Sequence, residues 1–118
     1  ELVFLQVNFF TKGLNCLVAK VSGELDHHVA VQVRTQTDSR LARGRARNLI
    51  FDFSDLNFMD SSGIGVVIGR YKLVKSSGGE VAIVCPNLSV NKILHMSGIP
   101  KIMGVYPSFT DVPEKLLG

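Results

Sequence analysis

The chain has 118 residues, of which 46% are hydrophobic and 19% charged, with a formal net charge of +3. This length and composition predict one folded domain over residues 1–118 and argue against disorder. No uncharged apolar run approaches the roughly 20 residues of a membrane helix, so we expect no membrane insertion. Cys16 and Cys85 lie in apolar, strand-like runs without CxxC or metal-ligand spacing, which favours buried, reduced thiols and a cytoplasmic location.

The first predicted elements in chain order are two strands. β-branched and aromatic residues dominate positions 2–10, the stretch 11–15 is turn-like, and a second strand-like run covers 16–23. Together these segments predict an opening hairpin.

A helix is predicted over about residues 27–43. Asp26 is a suitable N-cap, and Gly44 follows a last turn that carries arginine. The stretch VAVQV alternates like a strand, but a helix would give its apolar residues a common face. The residues of that face are Val29, Val33 and Leu41.

Four arginines lie close together at the end of this predicted helix: Arg40, Arg43, Arg45 and Arg47. Such a cluster can bind nucleic acid. However, no aromatic residue is interleaved for base stacking, and arginine also complements the negative end of a helix dipole. We therefore predict a helix C-terminus with its loop, and no nucleic-acid partner.

The remainder of the chain alternates strands and helices. Nearly continuous apolar runs at 48–53 and 80–85 predict strands buried on both faces, with a turn-like stretch at 54–57 after the first. Helical spacing from Ile64 to Val74 predicts a helix that ends at the two glycines 78–79.

The last predicted elements are shorter. Pro86 and Asn87 begin a helix that stops at Gly98, and a strand follows at 102–106. The tail is expected to form a last helical turn or two, capped by Asp111 with Pro113 in the first turn. The order β-β-α-β-α-β-α-β-α implies right-handed crossovers and a largely parallel sheet with an antiparallel edge.

The stretch NFMDSSGIGVVIGRYK, residues 57–72, places an acid and two serines where a helix is predicted to begin. Asp and Ser are common helix caps, but a cap needs one polar side chain and three stand here in a row. Glycines in the first helical turns cost about 1 kcal/mol each relative to alanine. We therefore expect Gly63 and Gly65 to serve a further purpose.

Two kinds of chemistry fit this motif poorly. A dinucleotide loop needs G-x-G-x-x-G, but Ile68 fills the third place, and no Lys-Ser or Lys-Thr follows as in a P-loop. A serine nucleophile needs G-x-S-x-G, but Asp60 stands at the first glycine and His95 is the only histidine downstream. We expect neither nucleotide binding at this loop nor a hydrolase.

The remaining interpretation is a serine that receives a phosphate. A hydroxyl at an exposed turn is accessible to a kinase, and a phosphate there would meet free backbone N–H groups and the positive end of the helix dipole. The phosphate would add a charge of about −1.5 to −2 next to Asp60 and could release a docked partner. Spacing alone does not choose between Ser61 and Ser62.

Two adjacent histidines, His27 and His28, open the first predicted helix. Their side chains would point about 100° apart, so they would not chelate one metal ion from one face. With His95 distant in sequence, we expect no metal site and place the pair near a partner surface.

These motifs carry a resemblance to a known family. The stretches GELDHH at 23–28 and FMDSSGIGVVIGRYK at 58–72 resemble the STAS domain of bacterial anti-sigma factor antagonists. GGEVAIV at 78–84 and HMSGIPKI at 95–102 extend the similarity over nearly the whole chain. The combination resembles the sporulation branch, which antagonises the anti-sigma-F factor. The expected fold is therefore the α/β STAS fold, with a mixed, mostly parallel sheet of four to five strands and about four helices.

The resemblance also implies a function without enzymatic activity and without a cofactor. In this branch the unphosphorylated form binds an anti-sigma factor that is also a serine kinase, with ADP or ATP bound to it, and so releases a sporulation sigma factor. The kinase phosphorylates the serine that matches Ser61, which ends binding, and a membrane-bound PP2C-type phosphatase removes the phosphate. The implied partner-binding residues are Glu24, Asp26, Asp60, Ser61, Ser62 and Gly63.

A second interpretation is a nucleotide- or small-ligand-binding STAS regulatory module, such as those attached to anion transporters or stress-signalling complexes. The complete acceptor motif in a free-standing chain without a membrane segment favours the first interpretation.

Overall fold

A five-stranded sheet forms the centre of the protein in the computed structural model, which describes residues 6–118. Its first two strands, β1 (Val7–Lys12) and β2 (Cys16–Val21), are antiparallel and form the predicted hairpin. The turn is shorter than predicted because β1 continues to Lys12. The part of the predicted first strand at residues 2–5 lies outside the described residues.

Two further short strands build a second sheet that the sequence did not predict. β3 (Gly23–Leu25) follows β2, and β5 (Leu56–Met59) occupies part of the stretch predicted to be a turn. They pair in parallel with each other and stand apart from the central sheet. The main sheet is completed by β4 (Asn48–Asp52), β6 (Val81–Val84) and β7 (Gly104–Tyr106).

The strand order in the main sheet is β1-β2-β4-β6-β7. All neighbours after the hairpin are parallel, which confirms the mixed, mostly parallel sheet. β4 and β6 are buried along their whole length, as their continuous apolar sequences indicated.

Three α-helices connect these strands: α1 (His27–Arg43), α2 (Ser61–Ser76) and α3 (Leu88–Met96). Each begins directly after an Asp or Asn whose side chain accepts a backbone N–H of the first turn. The predicted cap at Asp26 is therefore confirmed, and α3 begins one residue after Asn87, which caps it. α1 ends at Arg43, and Gly44 follows it as expected.

The arginines in the last turn of α1 fit the helix-terminus interpretation. Arg43 donates from Nε to the Ser39 carbonyl oxygen at 3.3 Å. The Arg40 guanidinium lies 5.0 Å from the centre of the Phe9 ring on β1. These contacts belong to the end of the helix and its packing on the hairpin.

Successive side chains along a strand point to opposite faces of the sheet, so alternate residues form two apolar clusters, one on each face. On one face, Leu17, Phe51 and Ile83 pack with residues from all three helices. On the other face, Cys16 and the side chains beside it lie under Val112 and Leu116 of the C-terminal tail. Both cysteines are buried and free.

The C-terminal tail differs from the predicted capped helix. It forms two 3-10 turns, Phe109–Asp111 and Glu114–Leu116, so that residues 6–118 contain three α-helices where about four were expected. Asp111 ends the first turn, and the second begins after Pro113 without a side-chain cap. The reason is that Pro113 disfavours helical backbone at Val112, which is extended. Among residues 6–118, no helix is both long enough and apolar enough to cross a membrane.

Candidate functional site

The strands β3 and β5 bring two helix starts together. Leu25 pairs with Met59 in this small sheet, and the N–H of Asp60 donates to the Leu25 carbonyl oxygen at 3.3 Å. The next residue of each strand is the cap of a helix, Asp26 for α1 and Asp60 for α2. The turn at 23–26 and the serine loop at 60–63 therefore lie side by side, although 34 positions separate the caps in the chain (60 minus 26).

The two serines of the loop have different surroundings. Ser61 is the first residue of α2 and is exposed, whereas Ser62 is half-buried. The N–H of Ser62 donates to Asp60 Oδ1 at 2.8 Å. Ser61 is therefore the more solvent-accessible of the two serines.

The glycine after the serines has a steric role. A Cβ on Gly63 would lie 2.7 Å from Met59 Cγ and 2.9 Å from Leu25 Cγ, closer than real side chains approach. Glycine therefore lets the first turn of α2 pack directly against β3 and β5. The further purpose that we expected of Gly63 is this close packing. At Gly65, in contrast, a Cβ would meet nothing within 4 Å.

Asp26 is held in its ionised form by the first turn of α1. Hydrogen bonds from the N–H of Val29 and of His28 lower the pKa of the Asp26 carboxyl, with the Val29 bond as the largest cause. Such bonds favour the carboxylate over the neutral acid. Together with exposed Glu24 and half-buried Asp60, Asp26 gives the paired loops an acidic character.

The two histidines do not point apart as predicted. The ring centres of His27 and His28 lie 4.0 Å apart with an interplanar angle of 36°, because both side chains bend toward each other at the first turn. In the part of the chain that the structure describes, no three His, Cys, Asp or Glu residues are grouped as a metal site.

An exposed aromatic residue lies next to the acidic loops. Phe58 pairs with Glu24 in the β3–β5 sheet and is 43% exposed. Exposed aromatic residues are typical of the centre of protein interfaces. Sequence reasoning missed Phe58 because no strand was predicted at residues 56–59, and without a strand its side chain has no defined face.

A groove between α1 and α2 opens beside the serine loop and has a volume of about 580 Å³. We call it the α1–α2 groove; its polar and glycine lining consists of His27, Arg34, Ser62, Gly65 and Arg70. Arg34 and Arg70 could not be associated from the sequence, since their proximity depends on how the two helices pack. One Arg70 nitrogen, Nε, lies 2.8 Å from Asp38 Oδ1.

Ser62 and His27 line the same groove, a proximity that also could not be predicted from sequence. No hydrogen bond joins the two side chains within residues 6–118. The Asp26 carboxylate accepts backbone N–H groups and does not orient either imidazole. The arrangement lacks the relay of a serine nucleophile, a base and an orienting acid.

Comparisons with known proteins agree with this fold. A family model described as the STAS domain matches residues 11–112. An anti-sigma F factor antagonist from Paenibacillus polymyxa is 46% identical over 90 residues, which are 76% of this chain and 77% of the relative.

Two solved structures are similar over most of the chain. The anti-sigma factor antagonist SpoIIAA in its unphosphorylated form has a TM-score of 0.79 at 27% identity, over 93% of this chain and 95% of that one. The Bacillus cell fate determinant SpoIIAA in its phosphorylated form has a TM-score of 0.68 at 28% identity, over 86% of this chain and 92% of that one. The chain therefore belongs to the STAS domain family, and within it to the anti-sigma factor antagonists.

Proposed function

We propose that this chain antagonises an anti-sigma factor and that one phosphoserine controls its binding. The unphosphorylated chain binds an anti-sigma factor that is also a serine kinase, and this binding releases a sporulation sigma factor. Phosphorylation of Ser61 by that kinase ends binding, and a PP2C-type phosphatase restores it. The chain acts in the cytoplasm by binding and not by turnover.

The observation that carries this proposal is the exposed hydroxyl of Ser61 at the first position of α2, beside the β3 turn. A kinase can reach this oxygen without unfolding the helix. Ser62 is a poorer acceptor because it is half-buried and faces the α1–α2 groove. A solved relative, SpoIIAA, also exists in phosphorylated and unphosphorylated forms, which supports a phosphate-controlled cycle here.

The effect of the phosphate follows from its charge. It adds about −1.5 to −2 charge units to a surface that already carries Glu24, Asp26 and Asp60. A partner docked over this surface would have to desolvate the new charge without a matched cation, at a cost of several kcal/mol. A coupling of about 1 to 3 kcal/mol already changes affinity about 5- to 150-fold. One phosphate is therefore sufficient to switch the interface.

The site of phosphorylation can be tested with the anti-sigma F factor of Paenibacillus polymyxa as the kinase, together with ATP and Mg²⁺. Intact mass is expected to show one added phosphate, and peptide mapping is expected to place it on Ser61. Ser61→Ala should abolish the added mass, whereas the matched variant Ser62→Ala should keep it. A phosphate mapped to Ser62, or none at all on the wild-type chain, would refute the proposal.

A further inference from the structure

No contact among the described residues of the folded chain requires a glycine at position 65, the second glycine of the motif. It is exposed within α2, and a Cβ at this position would meet nothing within 4 Å. Alanine in a helix interior is more favourable than glycine, so the missing side chain works against the helix. Gly63 differs, since its glycine is required by Met59 and Leu25. Gly69 in the same helix is equally open, but Gly65 lines the groove, where the missing side chain leaves room for close approach of another molecule.

The α1–α2 groove that Gly65 lines carries a positive charge on Arg34. Arg70 also lines the groove, but its charge is paired with Asp38. Arg34 is exposed and has no ion-pair partner among the described residues. The groove also has an apolar wall that includes Val31, which is 54% exposed. A cationic groove with an apolar wall is complementary to an acidic peptide segment.

The groove is continuous with the proposed partner surface, because Ser62 belongs to both. We infer that the α1–α2 groove receives an acidic segment of the anti-sigma factor, with Gly65 as the point of closest approach and Arg34 as its carboxylate partner. This inference rests on the proposed function and extends the contact surface from the serine loop along α1 and α2.

Gly65→Ala tests the close approach, because its expected effects on folding and binding have opposite signs. The added methyl group should raise the Tm by about 2 to 5 °C through helix propensity. It should weaken binding of the ADP-loaded anti-sigma F factor of Paenibacillus polymyxa by about tenfold, since overpacking a tight contact is unfavourable. Gly69→Ala is the matched control: its Cβ also meets nothing within 4 Å, but Gly69 does not line the groove. It should raise the Tm and leave affinity unchanged.

Arg34→Gln tests the charge of the occupant. Affinity for the same anti-sigma factor should fall about tenfold at low salt, with a smaller loss at high salt because ions screen the interaction. Arg45→Gln removes the same charge in the loop after α1, away from the groove, and should not change affinity.

The outcomes separate this inference from the proposed function. A wild-type chain that fails to bind the anti-sigma factor would overturn both. Normal wild-type binding that neither Gly65→Ala nor Arg34→Gln weakens would overturn the groove inference alone. Saturable binding of ATP or GTP that Arg34→Gln abolishes, with anti-sigma factor binding unchanged, would likewise overturn it in favour of a nucleotide in the groove.

Discussion

Gly63 lies where α2 begins, and its missing side chain leaves room for Met59 and Leu25. In Gly63→Ala the added Cβ would overlap both side chains, and overpacking of this kind typically costs about 1 to 3 kcal/mol. This cost exceeds the gain of up to about 1 kcal/mol from helix propensity, so urea unfolding should show a net loss of stability. Gly69→Ala, which adds the same methyl group in open space, should show a gain. Equal stability of the two variants would contradict the steric role of Gly63.

Cys16 is a buried residue whose surroundings make the stability of the fold depend on pH. Burial under the C-terminal tail raises the pKa of its thiol to about 11 from 9.0. Because the unfolded chain loses this proton first, the thiol's contribution to stability is fully present below pH 9 and is lost as pH rises toward 11.

The pH dependence can be measured by urea unfolding at pH 8 and pH 10 in the presence of a reductant. The wild-type chain should be less stable at pH 10, and Cys16→Ala should lose less stability between the two pH values than the wild-type chain does. Burial also raises the pKa of the Cys85 thiol. The double variant Cys16→Ala/Cys85→Ala should therefore show a still smaller difference in stability between pH 8 and pH 10. An alkaline loss that is identical in all three proteins would contradict this account.

At the scale of elements, one buried side chain fastens the C-terminal tail to the sheet. Asn48 is 8% exposed; its Nδ2 donates to the Leu116 carbonyl oxygen, and its Oδ1 accepts the N–H of Glu80, both at 2.9 Å. Asn48→Ala leaves both backbone groups without these partners and should cost about 2 to 3 kcal/mol. Asn57→Ala, at an exposed position, should change the free energy of unfolding by less than about 0.5 kcal/mol. Chemical denaturation followed by circular dichroism measures both, and equal values would show that the tail does not depend on Asn48.

Elements with a strong local signal could be predicted from the sequence, and those that depend on distant contacts could not. α1 was predicted from its cap and apolar face, α2 from helical spacing, and β4 and β6 from continuous apolar runs. The strands β3 and β5 have only three and four residues, and each is a strand because it pairs with the other. No periodicity is visible in segments so short.

At the scale of the whole molecule, the same distinction holds for the candidate site. The serines and their acid could be identified from the motif, but their position beside Glu24 and Phe58 follows from the pairing of β3 with β5. The α1–α2 groove likewise exists only because two distant helices pack together. Composition and spacing therefore indicated the serine loop, whereas the surface that a partner would contact required the fold.

The central claim is that a phosphate on Ser61 changes what the chain binds and leaves its fold intact. The most direct test is calorimetric titration of the ADP-loaded anti-sigma F factor of Paenibacillus polymyxa into the chain, before and after stoichiometric phosphorylation of Ser61. We predict saturable binding by the unphosphorylated chain, affinity weaker by about 5- to 150-fold after phosphorylation, and the same Tm for both forms. Equal affinity of the two forms, or a phosphorylated chain that has unfolded, would contradict the account.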